Sequence, residues 1–162
     1  MDLPSQSVPR TLALDIGDRR IGVAISDPLG YTAQPLVTIH RKNLPADLKS
    51  IARLVRKHEV AAIVIGNPLH MSGEPSPQAI RTQSFAEALR AQHPGMPIHL
   101  LDERLTTAQA HHLLDQSGHA RRNASTRRER SAIVDQVAAV LILEAFLSGG
   151  TPQLLPDPHS GI

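Results

Sequence analysis

Three carboxylates in this chain are spaced so that a folded sheet could bring them to one place. Asp15 follows the apolar run Leu12-Ala13-Leu14, Glu103 follows Ile98-His99-Leu100-Leu101-Asp102, and Asp135 lies near the start of the most apolar helix expected in the chain. In an open α/β sheet, ligands collect outside the carboxyl ends of the strands, so acids just past two such ends can converge. An ionised aspartate among apolar helix residues is costly to desolvate unless something positive compensates it. Oxygen ligands of this kind suit magnesium or manganese. Two such ions, about 3.5–4 Å apart, activate a water, neutralise a scissile phosphate and stabilise the leaving oxygen. The expected arrangement has Asp15 bridging both ions while Glu103 and Asp135 each hold one.

Each acid also has a plainer reading. Asp15 caps the turn at Gly17-Asp18, Glu103 pairs with Arg104 or faces solvent, and Asp135 is a first-turn acid favoured by the helix dipole. Asp102 is a second candidate at the same strand end as Glu103. Side chains alternate along a strand, so Asp102 and Glu103 are expected on different faces. Asp18 and Asp27 read as turn residues.

The elements that must position these acids follow from periodicity and caps. Thr11 to Asp15 and Ile21 to Ser26 read as strands joined by the polar turn 17–20, a hairpin. Leu36 to His40 offers a third strand. Leu48, Ile51, Ala52 and Val55 have helical spacing within 44–58. The apolar run Ala61 to Gly66 predicts a strand covered on both faces. Ser76-Pro77 opens a helix that runs to about His93 and stops at Pro94-Gly95. Ile98 to Leu101 is a short strand, Thr106 with Gln109 a capping box for a helix to about Gln116, and Gly118 its stop. A last helix is expected over about Ser131 to Leu147, well buried because apolar residues occupy nearly every side. The order predicts one α/β domain with a mixed sheet, over 11–148. Residues 1–10 read as a flexible start, and 149–162, with Pro152, Pro156 and Pro158, as a disordered tail.

Composition narrows the partners. The chain has 162 residues, no cysteine and a formal net charge of +2. Disulfides and thiolate zinc sites are thereby excluded. No stretch reaches membrane-spanning length and the first residues do not resemble a signal peptide, so a cytoplasmic protein is expected. Lysine occurs only at Lys42, Lys49 and Lys57; the other cations are arginines, whose planar fork suits phosphate. Arg121, Arg122, Arg127, Arg128 and Arg130 crowd one segment against a single acid, Glu129. Such a strip marks either a polyanion-binding loop or a solvated one. Arg19 and Arg20, beside Asp15, and Arg104, beside Glu103, are placed to touch a phosphate; a solvated turn and an ion pair are their alternatives. Only Tyr31, Phe85 and Phe146 are aromatic, which disfavours single-strand binding by stacked aromatics. The His111-His112 pair lacks metal-binding spacing, and His70 sits in a loop at the edge of the expected site.

Leu12-Ala13-Leu14-Asp15-Ile16-Gly17 followed by Arg20-Ile21-Gly22-Val23-Ala24 resembles the opening of the YqgF family. These are Holliday-junction-resolvase-like proteins also described as pre-16S rRNA nucleases. Ile65-Gly66-Asn67-Pro68-Leu69 with Met71 and Gly73, the hexapeptide Asp102-Glu103-Arg104-Leu105-Thr106-Thr107, and Asp135 with Ala138-Ala139 and Leu141-Ile142-Leu143 agree in order and spacing. The blocks span Thr11 to Leu147; Asp102 to Thr107 is the most specific. Asn67, His70 and Leu101 depart from the usual residues at their positions. The resemblance implies a ribonuclease H-like fold, with a mixed five-stranded sheet flanked by helices, and a part in maturing the 5′ end of 16S rRNA. It places Asp15, Glu103 and Asp135 on the family's catalytic acids.

Four functions compete on this reading. One is a metal-dependent nuclease acting on structured rRNA precursor, as a monomer or weak homodimer. The second is a resolvase of branched DNA, which needs paired active sites. The third is a non-catalytic RNA-binding assembly factor, for which the arginines matter and the acids do not. An ATPase of the actin and sugar-kinase type is disfavoured, since it needs two related domains.

Overall fold

The computed structural model describes residues 8–68, 72–102, 127–149 and 153–155. A hairpin of β1 (Arg10–Ile16) and β2 (Arg20–Ser26) opens the chain, and β3 (Ala33–His40) completes an antiparallel meander. Then α1 (Leu44–Lys57), β4 (Val60–Asn67), α2 (Pro77–Gln92) and β5 (Ile98–Asp102) alternate, and α3 (Arg127–Leu147) follows. The two-residue β6 (Gln153–Leu154) ends the series. The sheet order is β3-β2-β1-β4-β5-β6, with β4 parallel to both β1 and β5 and the other pairs antiparallel.

Local sequence explains the helix starts. The Asn43 side chain accepts the Ala46 N–H at 2.9 Å, with Pro45 in the first turn of α1. The Ser76 hydroxyl accepts the Ala79 N–H at 3.0 Å and itself donates to the Pro68 carbonyl at 2.6 Å, so one residue caps α2 and pins it to the end of β4. In the turn between β2 and β3, the Asp27 carboxylate accepts the N–H groups of Tyr31 and Thr32. Those backbone bonds, that of Thr32 foremost, hold its carboxyl below the usual aspartate range.

Alternation along the strands divides the core in two. Leu12, Leu14 and Ile16 of β1 join Ile21, Val23, Ile63, Ile65, Ile98 and Leu100 in a core covered by Ile51 of α1 and Phe85 and Leu89 of α2. Ala13, Ala24, Val64 and Leu101 face the other way, against Ala139, Ile142 and Leu143 of α3. The small residues on this second face let a single helix lie close across the middle of the sheet.

The structure changes three expectations. The final helix begins at Arg127 rather than Ser131, so Arg127, Arg128 and Arg130 are helical and not part of a loop. Arginine is a good helix former, and a charged first segment hides a helix start from a reading based on apolar spacing. Residues 133–138 are only half-buried, with full burial confined to parts of 139–145. Within the expected tail, β6 pairs with the β5 edge, His99 opposite Leu154, and Leu155 packs on the first core. The expected helix over 106–116 lies outside the described residues.

Candidate active site

Asp15 is the fifth position on β1 after Arg10 and shares a face with Ala13, which places it under α3. Its cross-strand partner is Gly22, and the partner of Gly22 on the next strand is Thr38. On the other side, Leu14 is level with Ile65 and Gly66 with Leu101, so Asp15 continues a row of Thr38, Gly22, Asp15, Gly66 and Leu101 across the sheet. Asp15 therefore stands between two glycines, where neighbouring side chains take no room.

Into that room comes α3. A Cβ added to Gly22 would stand 2.0 Å from the backbone oxygen of Asp135 and 3.1 Å from its Cβ. Directly opposed cross-strand residues have Cβ atoms about 5 Å apart, so the Cβ atoms of Asp15 and Asp135 lie within roughly 9 Å of each other. Two aspartate side chains can reach one cation across such a gap. The next residue fixes the helix further: Gln136 Nε2 donates to Thr38 Oγ1 at 3.1 Å, at the end of the same row.

Asp135 lies more than two turns into α3, which removes it from the helix N-terminus and from any first-turn dipole role. Its carboxylate instead accepts a 2.7 Å hydrogen bond from Arg20 Nε. The two side chains are 34% and 22% exposed, intermediate between a surface pair and a buried one. The reading of Arg20 as a solvated turn residue is thereby replaced by an ion pair between the start of β2 and the middle of α3.

The turn that follows Asp15 is held from several sides. Gly17 N–H donates to the Arg20 carbonyl at 2.9 Å, and a Cβ on Gly17 would come within 2.8 Å of that oxygen. Arg41 reaches the turn twice: its backbone N–H donates to the Arg19 carbonyl at 2.9 Å, and its Nη1 donates to the Gly17 carbonyl at 2.9 Å. The same guanidinium donates through Nε to Asp47 at 3.0 Å and sits 5.4 Å from the Phe85 ring centre. Asp47, 2% exposed, also accepts the Lys42 N–H at 3.1 Å. Arg41 thus ties the site turn to both helices of the opposite face. Its isolated place in the sequence carried no sign of this. Arg81 approaches Asp18 at 3.5 Å from α2, and Arg19 is exposed at the tip.

The remaining predicted residues are placed less closely. Glu103, Arg104, Arg121, Arg122 and His70 lie outside the described residues, and of Arg127 and Arg128 only the helical backbone is described. Asp102 ends β5 one residue after Leu101, and alternation puts it on the face of Leu100, away from α3. It does not share Asp15's face. Among the described residues no group of three His, Cys, Asp or Glu side chains could hold a metal ion. Asp15 and Asp135 supply two hard carboxylates, and Asp135 is compensated by the Arg20 guanidinium. That donor chemistry fits a magnesium- or manganese-type ion, with the third ligand still to come from elsewhere.

Comparison with known proteins identifies the family and the fold. The family model described as "RuvX: Holliday junction resolvase" matches residues 9–149. A protein of Moorella thermoacetica named "Putative pre-16S rRNA nuclease" is 46% identical over 138 residues, 85% of this chain and 94% of the relative. A protein of the same name from Koribacter versatilis is 42% identical over 147 residues, covering 91% and 92%. Among solved structures, T. thermophilus RuvC in complex with Holliday junction substrate superposes with a TM-score of 0.58 at 13% identity, over 91% of this chain and all of that one. A second T. thermophilus RuvC structure gives 0.52 at 11% identity, over 88% and 99%. These two likenesses bear on fold, and the fold is the ribonuclease H-like one that the sequence motifs imply.

Proposed function

The chain belongs to the RuvX family, and from that premise we propose that it is a cytoplasmic, metal-dependent nuclease that hydrolyses phosphodiester bonds during 5′-end processing of pre-16S rRNA. The observation that carries the proposal is the placement of Asp135 against Gly22, the cross-strand partner of Asp15, at the carboxyl end of the central strand. The names of the relatives support rRNA precursor as substrate. Among the described residues no helix is long and apolar enough to cross a membrane.

In this reading Asp15, Asp135 and Glu103 hold Mg²⁺ or Mn²⁺, two ions in all. Ions so held would neutralise the scissile phosphate and lower the pKa of the attacking water. Asp15 is fixed by its strand, so its carboxylate is presented without loss of backbone freedom. Asp135 is fixed by the approach of α3 to Gly22 and by the Gln136–Thr38 bond. Arg19, Arg20 and Arg104 stand around the scissile phosphate, and Arg121, Arg122, Arg127 and Arg128 extend the contact along the nucleic-acid backbone.

The test is cleavage of a labelled rRNA precursor by the purified protein with Mg²⁺ or Mn²⁺. Cleavage by wild type and its loss in Asp15→Asn, with unfolding unchanged, supports the proposal; a variant that cuts as well as wild type overturns the site. The family description favours a second reading, resolution of four-way DNA junctions. A junction substrate in the same assay separates the two, since resolution also demands a dimer with paired cuts.

A further inference from the structure

Arg20 and Asp135 are separated by 115 residues, yet the shortest side-chain ion pair among the described residues joins them. The pair is not a surface accident. Asp135 is immobilised by the contact of its backbone with Gly22, and Arg20 lies on the same strand as Gly22, two residues earlier, on the same face. Both partners are thus fixed by β2, and the carboxylate meets the guanidinium with little side-chain freedom to lose. The proposed function gives these two residues incompatible tasks in this arrangement, because one carboxylate is asked to hold a divalent ion and the arginine to contact phosphate.

We propose that Arg20 is the resident counter-ion of Asp135, exchanged for a divalent cation when the site loads and thereby released toward a substrate phosphate. This rests on the nuclease reading and deepens it. Before loading, the guanidinium neutralises a half-buried carboxylate that would otherwise repel Asp15 across the row. On loading, the cation takes over that neutralisation. The arginine, one residue from the exposed Arg19 on the site turn, is then unpaired beside the position where a phosphate would be bound. Occupancy by cation and grip on nucleic acid are coupled through one side chain: each favours the other, because both compete with the same ion pair.

The sign of the effect is fixed by two terms that act together. Removing Arg20 removes a competitor for Asp135, and it also removes a positive charge that repels the incoming ion. Mn²⁺ binding is read by calorimetry on wild type, Arg20→Ala and Arg20→Lys, without nucleic acid. Arg20→Ala is expected to bind Mn²⁺ about three- to tenfold more tightly than wild type, the strength of a part-exposed charged pair. Arg20→Lys, which keeps the charge and loses the planar fork, falls between. The second readout is binding of uncleaved RNA, followed with and without Ca²⁺ to hold back turnover. The cation strengthens RNA binding by wild type, and this gain disappears in Arg20→Ala. Equal or weaker Mn²⁺ binding by Arg20→Ala overturns the exchange, as does an unchanged gain in RNA binding. If wild type binds no Mn²⁺ at millimolar concentration, the metal-dependent reading fails with it; if wild type binds and Arg20→Ala is no tighter, only the exchange fails. Should Arg20→Ala unfold, Arg20→Gln supplies the uncharged variant.

Discussion

The backbone oxygen of Asp135 lies 2.0 Å from where a side chain on Gly22 would begin, so the only residue that fits opposite Asp15 is one without a Cβ. The colliding atoms are a Cβ, fixed by the backbone of β2, and a backbone oxygen of α3, and neither can swing aside as the end of a flexible side chain would. Gly22→Ala is therefore predicted to push α3 off the sheet and destabilise the protein by about 2–3 kcal/mol, as overpacking of a close contact does. Urea unfolding measures the loss. Cleavage should fall further than the folded fraction does, since Asp135 is displaced from Asp15. An alanine variant of wild-type stability and activity would show that the two elements are not in contact.

Asp15→Asn keeps the shape of the side chain and removes its charge. Cleavage is predicted to drop at least about a hundredfold while the unfolding midpoint stays within about 0.5 kcal/mol of wild type, measured by rate and urea titration on one preparation. A large fall would assign Asp15 a structural role instead.

The Arg41–Asp47 pair carries the site turn from behind. Asp47 is almost fully buried and accepts from both Arg41 Nε and the Lys42 N–H, so Asp47→Ala strands two donors. A cost of about 3 kcal/mol is expected, the lower end for breaking a buried pair, because Arg41 keeps partial access to water. Arg41→Lys keeps the charge but cannot span Asp47 and the Gly17 carbonyl together. Its predicted signature is a reduced kcat with a KM for RNA near that of wild type.

Acid should weaken the fold through two histidines. Burial pushes the pKa of both His93 and His99 below the ordinary value of 6.5. Among the described residues, His93 Nε2 and His99 Nδ1 are buried without a hydrogen-bond partner. As pH falls through 6.5 toward the folded values, the unfolded chain binds protons that the folded chain does not, so stability is lost across that interval. Well above 6.5 these groups are neutral in both states and contribute no slope. Replacing both by glutamine should flatten the dependence of the urea midpoint between pH 8 and about 5.5. An unaltered slope would place its source elsewhere.

The sequence disclosed much of this fold because its local signals agree with its packing. The hairpin of β1 and β2, the Ser76 cap and the apolar run in β4 each follow from residues within a few positions. Asp15 could be placed at a strand end for the same reason, and Asp135 was expected near it; the structure sets Asp135 against Gly22, the cross-strand partner of Asp15. What stayed hidden depends on distant partners. The start of α3 at Arg127 lies in a charged segment without apolar period, and β6 is held by the backbone of β5 and by Leu155, which no pattern in a proline-rich tail reveals. Arg20 read as a phosphate ligand because it stands in the turn beside Asp15; its carboxylate partner lies 115 residues away. Arg41 looked ordinary for the same reason.

If Asp15 and Asp135 bind one divalent ion between them, anomalous diffraction from crystals soaked in Mn²⁺ will locate it. A manganese peak is expected within coordination distance, about 2.0–2.6 Å, of a carboxylate oxygen from each residue, with the Arg20 guanidinium moved off Asp135. Manganese bound elsewhere, or Asp135 still paired with Arg20 in a crystal that cleaves RNA on addition of the same ion, would contradict it.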